Sequence, residues 1–121
     1  MKEYIEEICE KSQEEVCGLI IKNKGKIDVI ECENMSSSPK NSFEINKKDF
    51  NKYFLNFKIL AIFHSHVNTD ENFSKKDLLM SNEIMIPFWV YSTKTKKHNF
   101  YIPHTVNKKL YQKQLHEMCS N

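Results

Sequence analysis

Residues 58–68 read Lys58-Ile59-Leu60-Ala61-Ile62-Phe63-His64-Ser65-His66-Val67-Asn68. A short apolar run leads straight into two histidines separated by one serine. Such a run, bounded by polar residues, reads as a buried strand. Successive side chains on a strand point to opposite faces, so His64 and His66 share one face and Ser65 takes the other. Their Cα atoms then lie ~7 Å apart, a span that two imidazoles can close onto one ion. A strand running outward from a core leaves such a pair at its C-terminal end, where α/β sites tend to open.

Beyond this strand, Ser74-Lys75-Lys76-Asp77 opens a helix. Ser at the N-cap with an acid three residues later resembles a capping box, which also fixes the rotamer of the acid. Two imidazoles and one carboxylate with an open fourth position are what a catalytic zinc needs. Asp70 and Glu71, in the intervening loop, compete with Asp77 as the third ligand. A hydrolytic zinc also wants a general base beside its water. Glu14-Glu15-Val16-Cys17-Gly18 leads from a helix into an apolar strand, and a carboxylate at the mouth of that strand can reach a metal on a neighbouring one. Two adjacent glutamates at a helix end are, on the other hand, usually solvated.

The remaining segments supply a scaffold. Residues 1–14 place Ile5, Ile8 and Cys9 at helical spacing, and Val16 to Ile21 pairs with Ile27 to Cys32 as a hairpin across Asn23-Lys24-Gly25. Phe43 and Ile45 predict a brief strand. Phe50, Tyr53, Phe54 and Phe57 fall at i, i+3, i+4 and i+7, a helix whose aromatic stripe belongs in the core. The helix begun at Ser74 carries Leu78, Leu79 and Met85 on one side and closes before Pro87. Phe88–Tyr91 and Asn99–Ile102 form a second strand pair, and Leu110, Tyr111, Leu115 and Met118 suggest a final helix packing back on the body. Interspersed helices and hairpins predict an α/β (α+β) fold, a central mixed β-sheet flanked by helices.

The totals narrow the function classes. At 121 residues the chain reads as one domain, 1–121, with room for its own core. A net charge of +2 gives no basic footprint for nucleic acid, and Lys94, Lys96 and Lys97 read as a solvated hairpin end. Two glycines argue against Gly-rich phosphate loops. Cys9, Cys17, Cys32 and Cys119 are scattered without a CxxC pair, no signal peptide is apparent, and no apolar run approaches the ~20 residues of a membrane span. Reduced, buried thiols and a cytoplasmic location are expected, with no membrane partner. His98, His104 and His116 are read as surface or packing residues.

Glu15-x-Cys17-Gly18, then His64-x-His66, then Asp77 with Ser74 three before it, resembles the JAMM motif of the MPN (JAB) domain metalloproteases. The resemblance covers the chain from the helix before Glu15 to the strand after Trp89. It implies a cytidine-deaminase-like architecture and one Zn²⁺ per chain held by His64, His66 and Asp77 plus a water. It further implies Glu15 as proton shuttle and Ser74 as a stabiliser of the oxyanion. The activity implied is hydrolysis of an amide or isopeptide bond in a protein or peptide substrate, ubiquitin-like or associated with a phage tail or cell wall.

Ile86-Pro87-Phe88-Trp89-Val90-Tyr91-Ser92 resembles the prokaryotic and phage-tail branch, which for a phage protein would place the chain in host cytoplasm or virion. Members of that branch are commonly joined to an NlpC-type cysteine peptidase, for which no segment is expected here. Val67 stands where family members often have Pro, and there is no room for the insertions with which eukaryotic deubiquitinating members clamp ubiquitin. The alternative is a non-catalytic MPN-type structural or adaptor protein, for example in tail-tip assembly. A zinc nucleobase deaminase would need PCxxC and HxE patterns that do not occur.

Overall fold

The computed structural model describes residues 1–120. The elements, in chain order, are α1 (Lys2–Glu10), β1 (Cys17–Asn23), β2 (Lys26–Cys32), α2 (Lys47–Asn56), β3 (Lys58–His66), α3 (Lys75–Ile84), β4 (Phe88–Ser92), β5 (Lys97–Tyr101) and α4 (Lys108–Ser120). The strands form one five-stranded sheet in the order β2-β1-β3-β4-β5. Only β3 and β4 are parallel, joined by the α3 crossover; the other three pairs are antiparallel. The fold is therefore the mixed α+β arrangement that the alternation of patterns predicts.

Local chemistry sets the hairpins. Lys24 and Gly25 both have positive φ, 49° and 81°, which gives the two-residue loop whose twist matches its flanking strands. Lys96, at φ 62°, turns the chain from β4 into β5. Gly18 answers a different need. A Cβ there would run into the Ile30 carbonyl and lie 2.5 Å from the Phe63 ring, so the close approach of β2 and the Phe63 ring requires glycine.

Each face of the sheet is covered by its own apolar layer. Ile5 and Cys9 of α1 and Tyr111 and Met118 of α4 pack on Val16, Ile20, Ala61, Phe63, Trp89 and Tyr91. The opposite face, with Cys17, Leu19, Ile21, Ile62 and Phe88, receives Phe50 and Tyr53 of α2, Phe57 at its C-cap, and Met80 and Ile84 of α3. A bulge where β1 meets β3, between Ile20 and Ile21, lets Leu60 and Ala61 both join the first layer. His64, on the second face, thus emerges beneath α3 and beside Phe43.

Several expectations are corrected by this packing. α1 ends at Glu10, and the run to residue 14 is a turn in which the Glu14 N–H donates to Ser12 Oγ at 3.0 Å. Phe43 and Ile45 form no strand beyond a single bridge between Ile45 and Asn34. The α2 stripe is only half-buried, and Phe54 stays 54% exposed, stacked on Phe50 at the rim of the layer. On α3 the inward side is Asp77, Met80, Ser81 and Ile84, which leaves Leu79 and Met85 exposed. Leu79 lies two residues, about 200°, round the helix from Asp77. Met85 takes the left-handed conformation that ends the helix, two residues before Pro87. On α4, Tyr111 and Met118 are buried while Leu110 faces out. β5 begins at Lys97, two residues earlier than its apolar content suggests, because hairpin pairing with Ser92 extends it.

All four cysteines are free thiols. Burial pushes Cys9 and Cys17 up to about 12 and Cys32 to about 11, so these three behave as small hydrophobes. Among the described residues, no helix is long and apolar enough to cross a membrane.

Candidate metal centre

β3 delivers His64 and His66 from consecutive outward turns of its pleat, as the alternation of a strand requires. The N-terminus of α3 delivers Asp77. There the capping box is complete: Ser74 Oγ accepts the Asp77 N–H and Asp77 Oδ2 accepts the Ser74 N–H, both at 3.1 Å. One carboxylate oxygen is therefore held by the helix start and faces both imidazoles.

The three donor atoms form a nearly equilateral triangle. His64 Nε2 lies 3.3 Å from His66 Nε2 and 3.3 Å from Asp77 Oδ2, and His66 Nε2 lies 3.4 Å from the same oxygen. A tetrahedral zinc with bonds of about 2.0–2.1 Å holds its ligand atoms about 3.3–3.4 Å apart. Hydrogen bonding alone explains the triangle less well, because two ring nitrogens donating to one oxygen would set their own N–H groups against each other. The donor set, two imidazole nitrogens and one carboxylate oxygen, fits a borderline-soft divalent ion.

The surroundings orient the ligands. His66 Nδ1 lies 2.7 Å from the Asp70 carbonyl, to which it donates, leaving Nε2 with the lone pair that a metal requires. His64 Nδ1 is buried without a hydrogen-bond partner, and its ring is instead fixed by stacking on Phe43 with centroids 4.4 Å apart. Burial lowers the His64 pKa against the pull of Asp77, which favours the neutral ring. For His66, burial is outweighed by hydrogen bonds to Asp77 and to the Asp70 carbonyl, and its pKa is raised. Burial likewise opposes the Asp77 carboxylate, but the two imidazoles and the Ser74 N–H hold it well below the ordinary carboxylate range.

Glu15 is 7% exposed and lines the same cavity, of about 320 Å³, as His66, Ser74 and Asp77. Its backbone is clamped from both sides: its N–H donates to the Pro39 carbonyl at 2.7 Å, and Asn34 Nδ2 donates to its carbonyl at 2.9 Å. Burial pushes its carboxyl up to about 7, with His66 pulling down and Asp77 pushing up. Glu14, its neighbour in sequence, is exposed.

Glu15, His66, Ser74 and Asp77 line one cavity, and the fully buried His64 joins them through its contacts with His66 and Asp77. Asp70 and Glu71 stand outside the triangle. Asp70 serves through its carbonyl, and Glu71 accepts from Thr95 Oγ1 at 2.8 Å. The sequence offers no sign of the Asp70 carbonyl, since any residue supplies one. The Asn34 clamp and the Phe43 stack have only weak signals, an Asn just past a strand and an aromatic in a polar stretch. His98, by contrast, is half-buried in a packing role against Trp89 and Glu6.

No curated protein matches the chain. The solution structure of protein DSY2949 from Desulfitobacterium hafniense is similar in fold, with a TM-score of 0.62 and 18% identity over 81% of this chain and 75% of that one. The family described as prokaryotic homologs of the JAB domain matches residues 1–104, a span that holds α1 to α3, all five strands and all five clustered side chains. On that match the chain belongs to the prokaryotic homologs of the JAB domain.

Proposed function

We propose that the chain is a zinc-dependent peptidase or isopeptidase. The observation that carries this reading is the triangle of His64 Nε2, His66 Nε2 and Asp77 Oδ2, 3.3–3.4 Å on a side, of which His66 and Asp77 line one cavity with a buried glutamate. His64, His66 and Asp77 would hold the zinc, which would supply a bound water of pKa about 7 and a Lewis acid for a carbonyl.

The residues of the chain account for the remaining chemistry. Glu15, with its carboxyl near 7, can hold a proton at Oε and release it near neutral pH, which suits a group that serves first as base and then as acid. Ser74 Oγ uses one lone pair to accept the Asp77 N–H, and its own O–H remains available to a developing oxyanion. Phe43 covers the fully buried His64 ring, while His66 borders the cavity that would receive a substrate. The substrate we propose is a protein or peptide carrying an amide or isopeptide bond.

The test is metal content and hydrolysis measured on the same preparations. Wild type should carry one zinc per chain and cleave members of a mixed peptide and isopeptide library. Glu15→Gln should keep the zinc and lose about 10²–10⁴-fold in rate. A chain that takes up no zinc, or a Glu15→Gln variant as active as wild type, defeats the proposal. Full zinc loading with no cleavage of any library member favours the structural MPN role instead.

A further inference from the structure

Ser65 stands between the two histidines but faces away from them, and it is fully buried. It continues the antiparallel ladder in which Cys17 lies opposite His64, so its partner is Val16. A closely paired couple in such a ladder exchanges two backbone hydrogen bonds. Here one is present: the Ser65 N–H donates to the Val16 carbonyl at 2.8 Å. The return bond goes elsewhere, because the Val16 N–H donates to Ser65 Oγ, also at 2.8 Å. The hydroxyl thus takes the place of a backbone carbonyl.

Val16 follows Glu15 directly. With the Glu15 N–H tied to Pro39 and its carbonyl tied to Asn34, the Val16 N–H is the third consecutive attachment around that residue. It is also the attachment that leads to the strand bearing His64 and His66. We infer that Ser65 is a positioning residue, whose hydroxyl sets the Glu15 carboxylate against the two histidines through Val16. This inference rests on the proposed hydrolytic reading. Ser65 touches neither substrate nor metal in this arrangement, since its side chain lies on the opposite face of the strand.

The test uses the full chain loaded with cobalt(II), whose visible spectrum follows deprotonation of the metal-bound water without any turnover. Glu15→Gln should move the pH midpoint of that spectrum. Ser65→Ala should bind cobalt as wild type does and move the midpoint in the same direction, while Ser65→Thr, which keeps the hydroxyl, should restore it. With a cleavable peptide, Ser65→Ala should lower kcat roughly ten-fold and leave KM nearly unchanged. A midpoint that shifts in Glu15→Gln and stays put in Ser65→Ala overturns this inference alone. Loss of cobalt binding in Ser65→Ala also overturns it, by reducing the residue to a support for the ligand strand. A midpoint unmoved by Glu15→Gln removes the hydrolytic reading, and this inference with it.

Discussion

Glu15 is held where water would normally solvate it, and the fold carries that cost only over part of the pH range. In the folded chain its carboxyl keeps a proton up to about 7, against 4.5 for the free group. Between those values the native state binds more protons than the unfolded state, so stability falls as pH rises through this window. In chelator-treated protein, Glu15→Gln should therefore match wild type near pH 4.5 and exceed it at pH 8. The upper bound on that gain is about 3 kcal/mol. Urea denaturation of both proteins at the two pH values measures it, and a less stable Glu15→Gln chain at pH 8 would refute the account. The sequence could not choose between Glu14 and Glu15 on chemistry, since both are glutamates at one helix end. The choice is made by the turn at Ser12, which ends α1 early and rolls one carboxylate inward. His64, His66 and Asp77 were easier to read, because strand alternation and a capping box each fix a side-chain direction locally.

At the level of elements, α1 is fastened to the β4–β5 hairpin by polar bonds as well as by Ile5 and Cys9. The Tyr91 hydroxyl donates to Glu10 at 2.7 Å, Lys96 Nζ donates to both oxygens of Glu10 at 2.6 and 2.8 Å, and His98 Nε2 lies 2.9 Å from Glu6. Trp89 Nε1 can only donate, and it does so to His98 Nδ1 at 2.9 Å. That leaves the His98 proton on Nε2, facing Glu6, and the ring neutral. Burial lowers the His98 pKa and Glu6 partly restores it. In an NMR titration the ring should therefore titrate below 6.5, and lower still in Glu6→Gln. A His98 pKa that rises in Glu6→Gln would contradict this arrangement. The sign for stability follows: a lowered folded pKa contributes stability above 6.5 that is lost as the pH falls through the folded value. The helix periods of α1 and α4 were visible in the sequence, but these fastenings were not. They join residues 81 to 92 apart, which no local pattern reports. The same distance explains Leu79, Met85 and Leu110: apolar letters on a helix do not say which stripe the sheet will cover.

Across the whole molecule, the two apolar layers are closed by their own side chains, and the triangle meets them only where His64 packs on Phe43 and Phe88. Neither layer needs a metal to bury its side chains, so zinc should stabilise by mass action rather than by building the fold. Chelation at room temperature should leave the far-UV circular dichroism unchanged. Zinc at 100 times its Kd should raise stability by about 2.7 kcal/mol. A chain that unfolds on chelation would place the ion among the structural supports. The hairpin logic and the mixed class of fold were legible as a whole, because each element has its own period and turn residues. The order β2-β1-β3-β4-β5 was not, since it depends on which distant strands pair.

The wide spacing of the clustered side chains along the chain has a consequence for biosynthesis. Asp77 follows Glu15 by about 60 residues, and the parallel partner of the histidine strand, β4, comes later still. At roughly 5–20 residues per second, the ribosome adds Asp77 about 3–12 s after Glu15. During that interval β1 and β2 can close as a local hairpin, but no triangle of ligands exists to capture an ion. The three candidate ligands therefore come together only once β4 has been made, and any metal they hold would be taken up by the finished fold.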